Sequence, residues 1–312
     1  MGALVADPGD PLHETAALLA DALSGRGTPR PLAGVSWLPE TLLETLAPGV
    51  PGPARRLARV VADSGLDFAF VPAEAPWAPD AARALRDEGL AAVWAVPGPL
   101  WPVLERRGLT RALPLTAKRP EALTDDLVAE LARVARDVRS GLACDVAAVV
   151  IAEDLASDAG PLVPPDYAIT HAIPALAEAV GIAQDGGAAA VFHSDGDTRP
   201  VLDAVLQTGF SAMHVGGGLH EDRAAMLADE LVRRGLTMVG GLPGLLLEKG
   251  GAPAARRASE LVTAARAGTL VVCDDGGLVT PFGFRALSRL AGFVRERASR
   301  SAGYIADTSH SS

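Results

Sequence analysis

The sequence predicts an α/β fold: a (β/α)8 TIM barrel that forms a single domain with a short N-terminal extension. About eight short apolar runs recur along the 312 residues, and helical stretches separate them. Eight strands are the number that such a barrel needs, and the chain is long enough to supply them. The runs do not alternate strictly between apolar and polar residues, as expected for strands covered on both faces. A doubly wound open sheet is the alternative fold.

The order of the elements follows from these runs. We expect strands at residues 34–37, 67–72, 92–96, 147–152, 188–193, 212–215, 237–240 and 270–274. Residues 124–126 can cap a helix that continues to residue 138, and residues 200–206 and 222–231 have helical spacing. A further apolar run at residues 112–116 has no partner strand, and we expect it to form an excursion on the barrel rim.

The two ends of the chain differ in composition from its middle. Residues 1–30 are rich in Pro and Gly around a short amphipathic helix, which predicts an N-terminal extension packed on a barrel of residues 31–300. Residues 301–312 are rich in Ser, which predicts a disordered tail.

Composition limits the functional classes. The formal net charge of -10 argues against a nucleic-acid partner, because phosphates are bound by basic surfaces. No apolar run reaches the roughly 20 residues of a membrane helix, and residues 1–7 do not resemble a signal peptide. Cys144 and Cys273 are too few for a disulfide framework. We therefore expect a cytoplasmic protein without membrane partners.

Polar residues gather where the predicted strands end. The most informative stretch is residues 190–197, AVFHSDGD, in which an imidazole and carboxylates follow a buried strand directly. Because all strand ends of a barrel converge on one mouth, residues far apart in sequence should share a pocket there. The expected catalytic residues are Glu153, His193, Asp195, His214 and Asp275. The expected substrate-binding residues are Asp154, Gly216, Gly217, Gly240 and Asp274.

Some of these residues also have purely structural interpretations. Asp197 is better explained as a local cap than as a catalytic group. The glycines fit tight turns better than a phosphate cradle. His214 is as well explained by a satisfied core histidine as by a role in the site.

A metal site is the sharper hypothesis for the strand end at residue 193. His193 and Asp195 are separated by Ser194, and we expect a turn beginning at Ser194 to bring both side chains to one ion. Cys273 is the third expected ligand, with Glu153 or Asp274 as alternatives. Zinc or iron are the metals considered.

Several of these segments resemble the uroporphyrinogen decarboxylase superfamily, over residues 60–292. Residues 153–166, EDLASDAGPLVPPD, resemble its acidic pair followed by a "G-P-L" loop, and Pro174 matches a proline in the next helix. Residues 192–197 resemble its "F-H-S-D-G-N" strand end, and residues 208–214 its "G-F-D-x-x-H" strand. Residues 239–242 and 247–250 also fit. The resemblance implies a (β/α)8 barrel with its site at the C-terminal mouth.

Departures from the pattern distinguish the branches of that superfamily. The decarboxylase carries paired arginines at an N-terminal strand end, where this chain has Val35-Ser36-Trp37-Leu38-Pro39. The thiol methyltransferases carry "H-x-C" and a second cysteine that bind zinc. Asp195 and Gly276 stand at those two cysteine positions here, and Cys273 lies three residues too early.

The resemblance implies an enzyme. The chain resembles the corrinoid and thiol methyltransferase branch more than the decarboxylase branch, so metal-assisted one-carbon (methyl) transfer is the expected reaction. Its expected partners are a small-molecule substrate and, as methyl donor, a corrinoid protein. The sequence is compatible with a homodimer but does not require one. The alternatives are a decarboxylase or C–C lyase acting on a carboxylic acid, and an inert binding paralogue.

Overall fold

Eight parallel strands form one sheet in the computed structural model, which describes residues 11–157, 159–218 and 221–300. The sheet has the order β1-β2-β3-β4-β7-β8-β9-β10. A parallel bridge between Ala33 and Val272 joins the two ends, and the Val272 N–H donates to Leu32 O at 3.0 Å. The predicted (β/α)8 barrel and its single-domain character are therefore confirmed.

The strands match the eight predicted runs. They are β1 Gly34–Val35, β2 Phe68–Pro72, β3 Ala91–Pro97, β4 Ala148–Ala152, β7 Ala189–Ser194, β8 Ala212–Val215, β9 Thr237–Leu242 and β10 Leu270–Asp274. A small antiparallel pair, β5 Ala156–Ser157 and β6 Gly160–Pro161, follows β4. The predicted end of the seventh strand at Gly240 is wrong, because β9 continues through both glycines to Leu242.

Helices follow the barrel strands and cover the outside. They are α1 Pro11–Leu23, α2 Glu40–Leu46, α3 Pro53–Ser64, α4 Ala78–Asp87, α5 Leu100–Arg107, α6 Leu109–Lys118, α7 Thr124–Leu142, α8 Pro165–Tyr167, α9 Ala177–Asp185, α10 Leu202–Gln207, α11 Glu221–Arg233, α12 Gly244–Lys249, α13 Gly251–Arg266 and α14 Pro281–Arg300. Single 3₁₀ or π turns lie at Pro120–Leu123, Ala168–Ala172, Pro174–Leu176 and Arg199–Val201. The apolar run at residues 112–116 is part of α6.

Alternation along the strands divides the apolar residues into two layers. In β7, Ala189 and Val191 belong to a cluster inside the barrel, whereas Ala190 and Phe192 belong to the layer between sheet and helices. Both layers are apolar, so the strands read as nearly continuous apolar runs. By the same alternation, the next residue of β7 that faces the inside of the barrel is His193.

Helix α1 closes the N-terminal end of the barrel. Leu19 and Leu23 are buried and pack with the inside residues of the strands, Phe68 and Phe70 among them. The Thr237 hydroxyl donates to Ala22 O at 3.0 Å and ties the helix to β9. The opposite, C-terminal end of the barrel is left for the site.

Two further expectations concern membrane helices and the two ends of the chain. None of the helices in the described ranges is long and apolar enough to cross a membrane. The predicted disordered tail, residues 301–312, and residues 1–10 of the extension lie outside the described residues.

Leu23→Ala should destabilise the barrel, because it removes apolar side-chain atoms from the closed end and leaves a cavity. Leu23 is 2% exposed, and truncation of such a residue costs about 2–5 kcal/mol. Urea unfolding measures the loss. Leu206→Ala is the matched control, since Leu206 is 41% exposed. Equal midpoints for both variants would show that α1 contributes no packing energy.

Candidate active site at the C-terminal mouth of the barrel

Two histidines of neighbouring strands lie side by side at the top of the barrel interior. The parallel register pairs His193 of β7 with His214 of β8. Both follow inward-facing residues at two-residue spacing, Val191 and Ala212, so both rings turn toward the barrel axis. Their Nδ1 atoms are 2.8 Å apart, and both side chains are buried.

The hydrogen bonds fix the protonation pattern of this pair. His214 Nε2 lies 2.9 Å from Asp274 O, and a carbonyl only accepts, so His214 carries its proton on Nε2. Burial lowers the pKa of His214 to about 4, so the ring is neutral at pH 7 and its Nδ1 accepts. His193 must then donate from Nδ1. Its Nε2 is left with a free lone pair.

Aromatic rings surround the two imidazoles. The Trp37 ring contacts both, with centroid separations of 4.9 Å to His193 and 5.5 Å to His214. Phe70 packs against His214 from below, at 4.9 Å. Burial, and then the neighbouring His214, hold the pKa of His193 well below its usual value. A neutral His193 is the form that binds a metal ion.

The free lone pair of His193 faces two carboxylates. His193 Nε2 is 3.6 Å from Asp154 Oδ1 and 4.0 Å from Asp195 Oδ1. One ligand atom from each of the three residues lies within 4.8 Å of the others. Asp154, His193 and Asp195 therefore form a group able to hold a metal ion, called the metal-capable group below. His193 and Asp195 are two positions apart and share a face, so the turn that we expected at Ser194 is not needed.

Backbone amides hold the carboxylates of this group. The Gly217 N–H donates to Asp195 Oδ1 at 2.9 Å, and the Asp195 N–H donates to Asp154 Oδ1 at 3.1 Å. Burial, and then the neighbouring Asp154, raise the pKa of Asp195 to about 6. Burial also raises the pKa of Asp154. A cation bound between the two carboxylates would offset the cost of burying their charges.

Gly216 is required by close approach. A Cβ at this position would lie 2.1 Å from Asp195 Oδ1 and 2.7 Å from His193 Cε1. The glycine therefore makes room for the metal-capable group. We expected Gly216 and Gly217 to bind substrate. The structure instead gives Gly216 a steric role, and it uses the Gly217 amide to hold Asp195. Gly240 lies inside β9 at a φ of +137°.

Glu153 points away from the two histidines. Strand alternation turns Asp154 inward and Glu153 outward, where Glu153 Oε2 accepts from the Leu100 N–H at 2.9 Å at the start of α5. Glu153 is fully buried, its Oε1 has no hydrogen-bond partner among the described residues, and burial raises its pKa to about 8. The Tyr167 hydroxyl likewise has no partner in the described part of the chain, and burial and the Glu153 charge raise its pKa to about 12.

Asp274 and Cys273 contribute to the barrel rather than to the open pocket. Asp274 accepts from the Ser36 N–H at 2.8 Å and from the Ser36 hydroxyl, which joins β10 to the end of β1. Cys273 is buried in the inside cluster, where burial and the Asp274 charge raise the pKa of its thiol well above the usual value. The metal-capable group of the described residues contains Asp154 in the place that we expected Cys273 to take.

Asp275 lies near the histidine and carboxylate group, whereas Asp197 makes only local contacts. Asp275 accepts from the Gly244 N–H at 2.7 Å and faces Gly217, with a carboxylate oxygen 3.6 Å from where a Cβ would stand. It therefore lies next to Asp195. Asp197 forms a two-point ion pair with Arg199 and accepts from its backbone N–H, which is a local structural role, although Thr198 and not Asp197 is the N-cap of the following turn.

A cavity of about 430 Å³ opens beside the metal-capable group. Asp154 and His193 line it, and so do two tryptophans and two glutamates, set among small apolar residues and prolines: Trp37, Trp101, Glu74 and Glu105. The sequence did not single these four out as site residues, because they follow the first three strands without forming a motif. Two of them, Trp101 and Glu105, share one face of α5 at four-residue spacing.

Comparisons with known proteins show the fold. No protein-family model and no curated protein sequence matches the chain. A methyltransferase from Methanosarcina mazei superposes with a TM-score of 0.71 at 14% identity, over 90% of this chain and 98% of that one. An L-ribulose 3-epimerase gives 0.57 at 13% identity, over 90% and 99%. A D-psicose 3-epimerase gives 0.55 at 13%, over 86% and 99%. At these identities the likeness concerns the barrel alone, so the superfamily resemblance stays a prediction.

Glu153→Gln should flatten the pH dependence of stability. The folded chain keeps the Glu153 proton up to about pH 8, whereas the unfolded chain releases it near 4.5. The folded state binds more protons between these values, so the free energy of unfolding falls as pH rises, by at most about 1.4 kcal/mol per pH unit. Glutamine has no proton to lose, so the stability advantage of the variant should grow from pH 5 to pH 8.

Urea unfolding at four pH values, with EDTA present, measures this difference. Glu121→Gln is the control, since Glu121 is exposed. A difference between Glu153→Gln and the unaltered protein that stays constant from pH 5 to pH 8 would show that Glu153 is already ionised in the fold.

Proposed function

We propose that this chain is an enzyme that transfers a one-carbon (methyl) group at the C-terminal mouth of the barrel, with a divalent cation held by Asp154, His193 and Asp195. One observation carries the proposal: the free Nε2 of a neutral, buried histidine faces two half-exposed carboxylates across 3.6 and 4.0 Å. Buried histidines that only fill a core do not need such partners.

The donor set fits a divalent cation. The ligand atoms of the three residues lie within 4.8 Å of one another, so small side-chain rotations would bring all three onto one ion. One nitrogen and two carboxylate oxygens suit zinc, iron or a harder ion. The thiolate set of the resembling methyltransferases does not fit, because Asp195 and Gly276 occupy the cysteine positions. When bound, the cation would lower the pKa of a methyl acceptor and so favour its nucleophilic form.

The surrounding residues keep the ligand atoms in place. His214 accepts the Nδ1 proton of His193 and is itself anchored on Asp274 O, which holds the His193 ring in one tautomer and one orientation. The Gly217 amide fixes Asp195. Trp37 covers both imidazoles and limits the access of water to them.

Two further observations favour methyl transfer over the lyase alternative. The methyltransferase from Methanosarcina mazei shares nearly its whole length with this fold, which supports a related chemistry without identifying it. The cavity beside the group is lined by Glu74, Glu105 and Asp154, and no Arg or Lys is among its lining residues. A carboxylic acid substrate would meet repulsion there instead of a cationic clamp.

Methylcobalamin and a panel of small thiols test the reaction. The proposal predicts loss of the methylcobalamin absorbance with formation of a methyl thioether, and it assigns a corrinoid protein as the donor. Release of CO2 from a carboxylic acid, without methyl transfer, would favour a lyase. Absence of both reactions together with absence of bound metal would favour an inert paralogue.

His193→Ala should remove bound metal and activity with little loss of fold, because it deletes the nitrogen ligand from an already formed pocket. Asp154→Asn and Asp195→Asn should weaken metal binding, since each replaces a charged ligand by a neutral one. Mass spectrometry of metal content after dialysis, with circular dichroism for the fold, measures both effects.

Asp197→Ala is the matched control in the same loop. It removes the ion pair with Arg199 and should cost local order while metal content stays the same. Unchanged metal content and activity in His193→Ala would refute the site.

A further inference from the structure

The cavity beside the metal-capable group has the chemistry of a cation site. Its volume of about 430 Å³ lies in the range of small-molecule pockets, about 300–1,000 Å³. Indole rings from Trp37 and Trp101 line it, together with carboxylates from Glu74 and Glu105. Aromatic rings with acidic neighbours are the surroundings that substituted ammonium ions prefer.

The side chains that line this cavity carry negative charge and no positive charge from Arg or Lys. Three acidic residues line it, and no Arg or Lys does. A metal ion on Asp154 and Asp195 would neutralise those two carboxylates and leave Glu74 and Glu105 for a ligand. Within the described part of the chain Glu74 forms no ion pair, so its charge is available at the cavity edge.

Trp101 and Glu105 are held as a unit. Trp101 Nε1 donates to Glu105 Oε1 at 3.0 Å, one helical turn along α5. Glu153 accepts from the first amide of α5 and thereby positions that helix against the cavity. The carboxylate and the indole therefore reach the cavity together, the acid providing long-range attraction and the ring a short-range contact.

The His193 imidazole lines the same cavity. His193 is 6% exposed and lines the cavity, yet its Nε2 has no hydrogen-bond partner among the described residues. The nearest carboxylate oxygens among the described residues lie at 3.6 and 4.0 Å, beyond hydrogen-bond distance. The proposed metal ion would occupy this end of the cavity, which leaves the part lined by Trp37, Trp101, Glu74 and Glu105 for a ligand.

We infer that the cavity binds a substituted ammonium compound, with the ammonium head between Trp37, Trp101 and Glu105. The assignment rests on the proposed methyl-transfer site and names a class of methyl acceptor for it: the ammonium head anchors the molecule, and a thiol on the same molecule would take the methyl group from the corrinoid donor and release its proton. Methyl groups on a quaternary nitrogen would pack on the indole rings, while the positive charge would be matched by the carboxylates.

Calorimetry with choline and its neutral carbon analogue, 3,3-dimethylbutan-1-ol, tests the inference at constant ionic strength. The two probes have the same shape and differ in charge. Choline should bind about tenfold more tightly than the analogue. Equal affinity for both probes, or tighter binding of 3,3-dimethylbutyrate, would overturn the inference.

Variants place the binding in the cavity. Trp101→Leu and Glu105→Gln should each weaken choline binding about tenfold and leave binding of the neutral analogue nearly unchanged. Trp77→Leu and Glu40→Gln are matched controls, because these two residues form the same kind of indole–carboxylate bond outside the cavity. Equal loss in the control variants would contradict the location.

The metal readout separates this inference from the proposed function. Metal uptake that depends on His193, without preference for choline, would leave the methyl-transfer site standing and refute the ammonium assignment alone. Preference for choline in a chain that takes up no metal and transfers no methyl group would support the ammonium site and refute the proposed function.

Discussion

The whole arrangement depends on one hydrogen-bonded chain, from Asp274 O through His214 to His193. Because β7 and β8 pair in register, the two imidazoles must meet, and burial keeps both neutral. The carbonyl at one end then determines which nitrogen of each ring carries a proton. The result at the other end is a lone pair on His193 Nε2, directed at the mouth of the barrel where Asp154 and Asp195 lie.

Strand alternation explains why adjacent polar residues at the strand ends do different work. Of Glu153 and Asp154, the first is bonded to α5 and the second faces the mouth. Of Ser194 and Asp195, the serine hydroxyl accepts from Leu155 N–H and the carboxylate faces the mouth. The ends of β4 and β7 thus each supply one group that fixes a loop and one group that is available for chemistry.

The sequence predicts the barrel well, because eight apolar runs with helical intervals admit few other folds. It also predicts that His193, Asp195 and Asp154 lie at one mouth. It does not reveal that Glu153 accepts a hydrogen bond from α5, because only the register of β4 tells which member of the acidic pair turns inward. Nor does it reveal Trp101 and Glu105, whose relevance depends on where α5 lies relative to β7.

Nitrogen NMR of the metal-free protein labelled with ¹⁵N-histidine tests the central claim most directly. The account predicts, at pH 7, a His193 ring with a proton on Nδ1 and none on Nε2, and a His214 ring with the opposite pattern, assigned with single His→Gln variants. A proton on Nε2 of His193, or a charged ring in either residue, would contradict the hydrogen-bonded chain and with it the lone pair on which the proposed site is built.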